Sequence, residues 1–313
     1  MRERHEKREN GVPRVDEPVD VPAASEQGSD GTLILIGGAA TPHGHAMRSF
    51  IDATGAANGA RIVGLTTASG EAVDAAAYWK GAFNHIGVRN VDIPIFEARE
   101  DVDARIARMI DEAQGVFLGG GDQVKLVTSL SGTKTCAAMR ELFMRGGTIC
   151  GTSAGAAALS QLTMAGGEMD EEGNLVEQYI GPGFGLLGHD AIIDTHFSQR
   201  RRLQRLFLVV ASNTQLFGLG IDEDTALVVH DGVGEVVGAG GVTFVDGRDT
   251  VRFDNAGDLE KGRQLTLSHL RVGIVGTHYH LDLRRRELHE LVSGEPSPHR
   301  RGMSNSAVVV ADL

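Results

Sequence analysis

Ser153 stands between two glycines in Gly151-Thr152-Ser153-Ala154-Gly155, after the apolar run Thr148 to Cys150 and before an alanine-rich segment. The apolar run reads as a buried strand that stops at Gly151, and the alanines read as a helix, so the serine falls on the turn between them. Glycines on both sides permit the tight turn that projects a hydroxyl from the end of a sheet. There the serine would meet a substrate beside free backbone N–H groups at a helix start, which favour a developing oxyanion. A capping serine on an ordinary strand–helix turn is the plainer alternative.

A serine nucleophile needs a base, an acid that orients the base, and donors for the oxyanion. His196 ends Ala191-Ile192-Ile193-Asp194-Thr195-His196, a predicted strand that leads into a helix, which puts it on the same ligand-binding rim as Ser153. The turn Asp222-Glu223-Asp224 offers three carboxylates, any of which can accept the second imidazole N–H and fix its tautomer. A solvated acidic turn would look the same. The N–H of Ala154 and one from Gly120 or Gly121 would serve the oxyanion if their two loops adjoin.

The acidic chain also carries a basic cluster, Arg200-Arg201-Arg202 with Arg205. Spacings of three and four place part of it on one helix face, where guanidinium groups match carboxylates bidentately. A solvated or salt-bridged face is the alternative. Beside a catalytic histidine, these arginines point to an acidic group on the substrate, and neutralising Arg202 should raise the Michaelis constant with little loss of stability. Other motifs are weaker. Gly37-Gly38-Ala39-Ala40 lacks the dinucleotide spacing, and Ser131-Gly132-Thr133-Lys134-Thr135 lacks the leading glycine of a phosphate loop. His43-x-His45 and His278-x-His280 lack a third ligand at a telling spacing, so no metal and no cofactor is expected.

The elements that must position these residues are short apolar runs separated by helical stretches. Strands are expected at Thr32–Ile36, Arg61–Thr67, Val91–Ile95 and Gly115–Leu118, with helices near Ala46–Ala57, Ala72–Gly87, Asp103–Glu112 and Val124–Arg145. Runs without polar alternation argue for a mostly parallel central sheet buried on both faces, with ligands at the strand ends. The helix after Gly121 is the crossover that would make the two glycine-ended strands neighbours. Polar loops are expected at Gly166–Gly173 and Gly181–Gly185, strands at Leu216–Ile221 and Thr225–Val229, and antiparallel strands from Val236 to about Leu283.

Bulk properties narrow the class. The 313 residues are 41% hydrophobic and 23% charged, with 42 glycines that suit tight turns between strands and helices. A net charge of −12 argues against a nucleic-acid or anionic-membrane partner. Cys136 and Cys150 show no disulfide or zinc spacing. No apolar run spans a bilayer and the charged start lacks an apolar signal core, so a soluble cytoplasmic protein is expected. Residues 1–30 read as a disordered extension and 293–313 as a loose tail, leaving 31–292 as a single α/β domain.

Taken together, Gly119-Gly120-Gly121-Asp122-Gln123, Gly151-Thr152-Ser153-Ala154-Gly155-Ala156, Asp194-Thr195-His196-Phe197 with Gln199-Arg200-x-Arg202-x-x-Arg205, and Gly220-Ile221-Asp222-Glu223 resemble the cyanophycinases. These belong to the serine peptidase family that also holds the α-aspartyl dipeptidases, and the resemblance runs through about Thr32 to His280. It implies a three-layer α/β/α fold, a homodimer, no metal, and Ser153, His196 and Glu223 as nucleophile, base and orienting acid. Gln123, Asp194, Thr195, Arg200, Arg202 and Arg205 fall on the family's substrate-pocket positions, with Thr195 where the family typically has Gln. The implied substrate is cyanophycin, a poly-aspartate chain with arginine on each β-carboxyl, cut to β-Asp-Arg dipeptides. The arginines would hold an aspartyl carboxylate and Asp194 the substrate's guanidinium. Short α-aspartyl peptides, or peptide binding without catalysis, are the alternatives.

Overall fold

The computed structural model describes residues 31–169, 175–188, 190–252, 266–277 and 279–290. The expected extension over 1–30, the tail over 293–313 and His278 lie outside them. In chain order the first half is β1 (Thr32–Ile36), α1 (His45–Thr54), β2 (Ile62–Leu65), α2 (Ala72–His85), β3 (Val91–Asp92), α3 (Glu100–Asp111), β4 (Gly115–Leu118), α4 (Gln123–Leu130), α5 (Lys134–Met144), β5 (Thr148–Thr152) and α6 (Ala154–Ala157). The second half is β6 (Leu162–Met169), β7 (Leu175–Pro182), β8 (Ala191–Thr195), α7 (Leu203–Ser212), β9 (Phe217–Ile221), β10 (Thr225–His230), β11 (Val233–Gly238), β12 (Val242–Asp246), β13 (Val251–Arg252), β14 (Leu267–Ser268), β15 (Arg271–Val275), β16 (Tyr279–Asp282) and β17 (Glu287–Glu290).

The fold is α/β, with parallel central strands and antiparallel strands towards the C-terminal end. A nine-stranded sheet has the order β17-β16-β11-β10-β1-β5-β4-β2-β3, parallel from β1 to β3 and antiparallel from β10 outward. As expected, β4 and β5 are parallel neighbours. A second sheet of six strands, β15-β12-β9-β8-β6-β7, departs from the single central sheet. The strand ending near His196 belongs to this second sheet, so Ser153 and His196 lie on different rims.

Alternate residues of the central strands explain the layers. Ile34, Ile36, Phe117 and Cys150 pack under Met47 and Phe50 of α1 and Phe83 of α2. Leu33, Leu35, Val116, Leu118 and Ile149 face the opposite way, against Ile106 and Ile110 of α3, Leu126 of α4, Leu142 of α5 and Leu219 and Ile221 of β9. Helices therefore cover one face of the large sheet, while the other face meets helices and the second sheet together. α7 closes the outer side of the second sheet through Leu206, Val209 and Val210. Each such side chain gains roughly 1.5–3 kcal/mol from burial, which is why these strands lack polar alternation.

Local differences have local causes. The single helix expected over Val124–Arg145 breaks into α4 and α5 at Ser131-Gly132-Thr133, because Thr133 caps α5 by accepting the Cys136 N–H. The carboxylate of Asp103, buried in α3, accepts the Lys134 and Thr135 N–H groups as well. Gly166 to Met169 lies in β6 and Gly181-Pro182 in β7, where loops were expected, since the two strands pair across register shifts beside Gly166 and Met169. The Val91 strand shortens to two residues, and the strand before Ser153 runs through Gly151 to Thr152. Burial pushes the Cys150 thiol far up from its usual value.

The two sheets are also clasped by charge. Arg286, 5% exposed in the turn between β16 and β17, donates to Asp246 on β12 at 2.8 Å and to the Gln215 carbonyl at 2.6 Å. Its guanidinium lies 5.1 Å from the centre of the Phe217 ring. Burial pushes the Asp246 carboxyl up, but hydrogen bonds from Arg248 and Arg286 outweigh it and hold the group below the ordinary carboxylate range. With a folded pKa below the unfolded one, the stabilisation is present at neutral pH and lost as acidification passes through the folded value. Arg286→Ala, which leaves the buried Asp246 carboxylate with Arg248 alone, should cost about 3 kcal/mol in urea unfolding at pH 7. The deficit should shrink below about pH 4, where the unfolded carboxyl takes up its proton.

Candidate active site

Ser153 follows β5 with φ +53° and ψ −118°, a conformation that side-chain-bearing residues rarely adopt. The flanking glycines make it sterically possible. A β-carbon on Gly151 would lie 2.6 Å from the Ala156 nitrogen, and one on Gly155 would strike the Leu118 carbonyl of the neighbouring strand. The expected alanine helix is a single turn, Ala154–Ala157, too short to carry a long helix dipole.

Ser153 Oγ lies 2.9 Å from His196 Nε2, and His196 Nδ1 lies 2.6 Å from Glu223 Oε1. The imidazole follows β8 and is mostly enclosed, whereas the Glu223 side chain is 35% exposed. The structure separates the three acids of the turn. Asp222 Oδ1 accepts the Ser198 N–H at 3.0 Å and the Ser198 hydroxyl at 2.6 Å, and its Oδ2 accepts the Gly241 N–H at 3.1 Å. The buried Asp224 Oδ1 has no hydrogen-bond partner among the described residues. Glu223 alone of the three is hydrogen-bonded to the imidazole, and its own N–H donates to Gln199 Oε1 at 3.1 Å.

The loop after β4 closes against the serine. A β-carbon on Gly120 would sit 3.3 Å from Ser153 Cβ, so this loop and the Ser153 turn adjoin as expected. Gly121 lines a cavity of about 100 Å³ together with Ser153, Ala154 and all six expected pocket residues: Gln123, Asp194, Thr195, Arg200, Arg202 and Arg205. Gln123 Nε2 donates to the Met164 carbonyl at the cavity wall.

The charges of this cavity are arranged differently from expectation. Asp194 is 1% exposed and its carboxylate is paired with two arginines: Arg205 donates from Nε at 2.6 Å and also from Nη2, and Arg202 donates at 3.2 Å. Arg202 reaches the Thr195 carbonyl as well, at 2.7 Å. Burial lowers the Arg202 pKa, Asp194 opposes that, and the neighbouring Arg205 and Arg200 add to the lowering. Asp194 is therefore already paired with its own arginines. Arg200 is exposed and has no ion-pair partner among the described residues. Three guanidinium groups against one carboxylate leave the cavity net positive, which suits a carboxylate ligand.

Sequence reasoning named Gln199 and Asp222 without their part in fixing the Glu223 turn, and it missed the way Gly38 abuts the His196 ring. The glycine pair closing β1 was the available signal for the last. The His43–His45 pair gains no metal set, since among the described residues no cluster of three or more His, Cys, Asp or Glu is placed to hold an ion. No described helix is long and apolar enough to cross a membrane.

The chain resembles known proteins in sequence and in fold. The model of peptidase family S51 matches residues 33–237. A cyanophycinase of Trichormus variabilis is 34% identical over 263 residues, covering 82% of this chain and 87% of its own. A cyanophycinase of Synechococcus elongatus is 31% identical over 279 residues, covering 87% and 85%. The crystal structure of a peptidase from an acI-B1 Actinobacterium superposes with a TM-score of 0.53 at 21% identity, covering 69% of this chain and 91% of that one, a likeness of fold.

The paired arginines reverse one expectation about stability. Arg205→Ala leaves a buried carboxylate with Arg202 alone and should cost about 3 kcal/mol in urea unfolding. Arg202→Ala should destabilise too, contrary to a purely substrate-facing role. Arg200→Gln should leave the urea midpoint unchanged.

Proposed function

The chain belongs to peptidase family S51 and is a serine-type peptidase, and from that premise we propose that it hydrolyses cyanophycin with Ser153 as nucleophile, His196 as general base and Glu223 as the acid that orients it. The observation that carries this reading is the continuous hydrogen-bonded line from Ser153 Oγ through the imidazole to Glu223 Oε1. His196 Nε2 takes the hydroxyl proton as Oγ attacks the aspartyl carbonyl carbon. Glu223 keeps the other ring nitrogen protonated and stabilises the imidazolium that forms. The Ala154 N–H and an N–H of Gly120 or Gly121 receive the tetrahedral oxyanion.

Collapse of the intermediate breaks the peptide C–N bond, and His196 returns its proton to the leaving amine. The acyl group stays on Ser153 as an ester. Water then attacks the ester carbonyl, giving up a proton to His196, and the serine hydroxyl is restored. A β-Asp-Arg dipeptide is the proposed product, released from the chain end. Arg200, backed by the Arg202 and Arg205 pair, would anchor the aspartyl carboxylate, with Gln123 and Thr195 lining the same cavity. The reading includes a cytoplasmic homodimer.

A second reading is favoured by one observation. Because the Asp194 carboxylate is already paired with its own arginines, a substrate arginine would gain less from it, and short acidic peptides would fit the cavity's charge equally well.

Clearing of suspended cyanophycin, with mass spectrometry of the soluble products, tests the first reading against the second. Wild type should clear the polymer and release β-Asp-Arg, and Ser153→Ala should lose at least about 10⁴-fold in rate. Cleavage of α-aspartyl dipeptides with no clearing would transfer the assignment to the second reading. Arg200→Gln should raise the Michaelis constant by about 10- to 100-fold, the loss of one charged hydrogen-bond anchor.

A further inference from the structure

β1 ends where the two sheets meet, and its last peptide units are used one after another. The Ile36 carbonyl accepts the Ser153 N–H at 2.9 Å, the Gly37 carbonyl accepts the His196 N–H at 2.6 Å, and the Gly38 carbonyl accepts the Asp224 N–H at 3.0 Å. Asp224 directly follows Glu223, so three consecutive carbonyls hold the loops that carry all three members of the hydrogen-bonded line. The three donors share a further property. Ser153, His196 and Asp224 have φ of +53°, +51° and +49°, a region that is costly for residues with a β-carbon and persists only where the surroundings over-determine it.

The two glycines are required by space. A β-carbon on Gly37 would lie 2.6 Å from the Ile221 carbonyl carbon, and one on Gly38 would overlap the His196 ring, 2.7 Å from Nδ1. Gly38 also has φ +109°. We propose that Ile36-Gly37-Gly38 is the positioning element of the active site, registering nucleophile, base and acid from two different sheets and leaving at Gly38 the space that the imidazole fills. This rests on the triad reading above. The segment touches no substrate and acts through the loops it holds.

Gly38→Ala tests the proposal, with Gly59→Ala as control. Gly59 has a similar φ of +94° with nothing within 4 Å of an added β-carbon, so it carries the backbone strain without the clash. Gly38→Ala should lower kcat about 100-fold or more with KM changed by less than about threefold, the signature of a misplaced reacting group. It should also slow labelling of Ser153 by a serine-reactive phosphonate, whereas Gly59→Ala should keep wild-type kcat and labelling. A thermal double-mutant cycle reads the contact without catalysis. Gly38→Ala combined with His196→Ala should melt below His196→Ala alone by no more than Gly59→Ala melts below wild type, because the ring that the methyl would strike is gone.

If Gly38→Ala fails to fold and the double variant folds, the contact stands. If neither folds, or if Gly38→Ala keeps wild-type kcat, the proposal is overturned. Wild type that resists the phosphonate at Ser153 would overturn the triad reading itself, whereas labelled wild type with no coupling in the cycle would overturn the positioning role alone.

Discussion

The arrangement depends on one hydrogen bond that crosses from sheet to sheet, between Ser153 Oγ after β5 and His196 Nε2 after β8. A donor and acceptor 2.9 Å apart tolerate little relative movement, so the strand ends of two separate sheets must be held to within a fraction of an ångström. That constraint gives the shared core its purpose. Leu219 and Ile221 of the second sheet are packed into the same cluster as Leu33 and Leu35 of the first, and Arg286 fastens the far ends. A close-packed interior of this kind shifts in steps rather than continuously, which suits a site that needs a single register.

Electrostatics follow a parallel plan on the substrate side. Asp194 is buried, and removing one carboxylate from water is tolerable here because two arginines converge on it. In return the carboxylate keeps two long, flexible side chains in one geometry at the cavity wall. The excess of positive charge is then presented by Arg200, which faces solvent. The cavity is thus net positive in a chain whose net charge is −12. A local field of the opposite sign to the whole protein is strongest for a ligand that has already entered the cleft, where water screens it least.

Much of this was legible in the residues. The glycine-flanked serine, the histidine at a strand end and the acidic turn could be placed because each lies where an apolar run meets a helix or turn. The division into two sheets was not legible. β8 and β9 are as thoroughly buried as β4 and β5, and an apolar run records burial without recording which sheet provides it. The choice of Glu223 over Asp222 and Asp224 depended on which side chain Ser198 and Gly241 capture, a long-range matter. Asp194 could not be matched to Arg202 and Arg205 because residues eight and eleven positions on are joined to it only after the turn into α7 is known. The break between α4 and α5 was there to be read, in a glycine followed by a capping threonine.

The fully buried Cys150 lies in β5, three residues before Ser153, and packs in the cluster under α1 and α2. Its suppressed thiolate leaves the strand with almost no sulfur nucleophile in the folded state. Oxidants and alkylating agents that find cysteine would therefore pass over the strand that leads to Ser153. The alternation of a β-strand, one residue up and the next down, turns Cys150 to the face opposite Ile149.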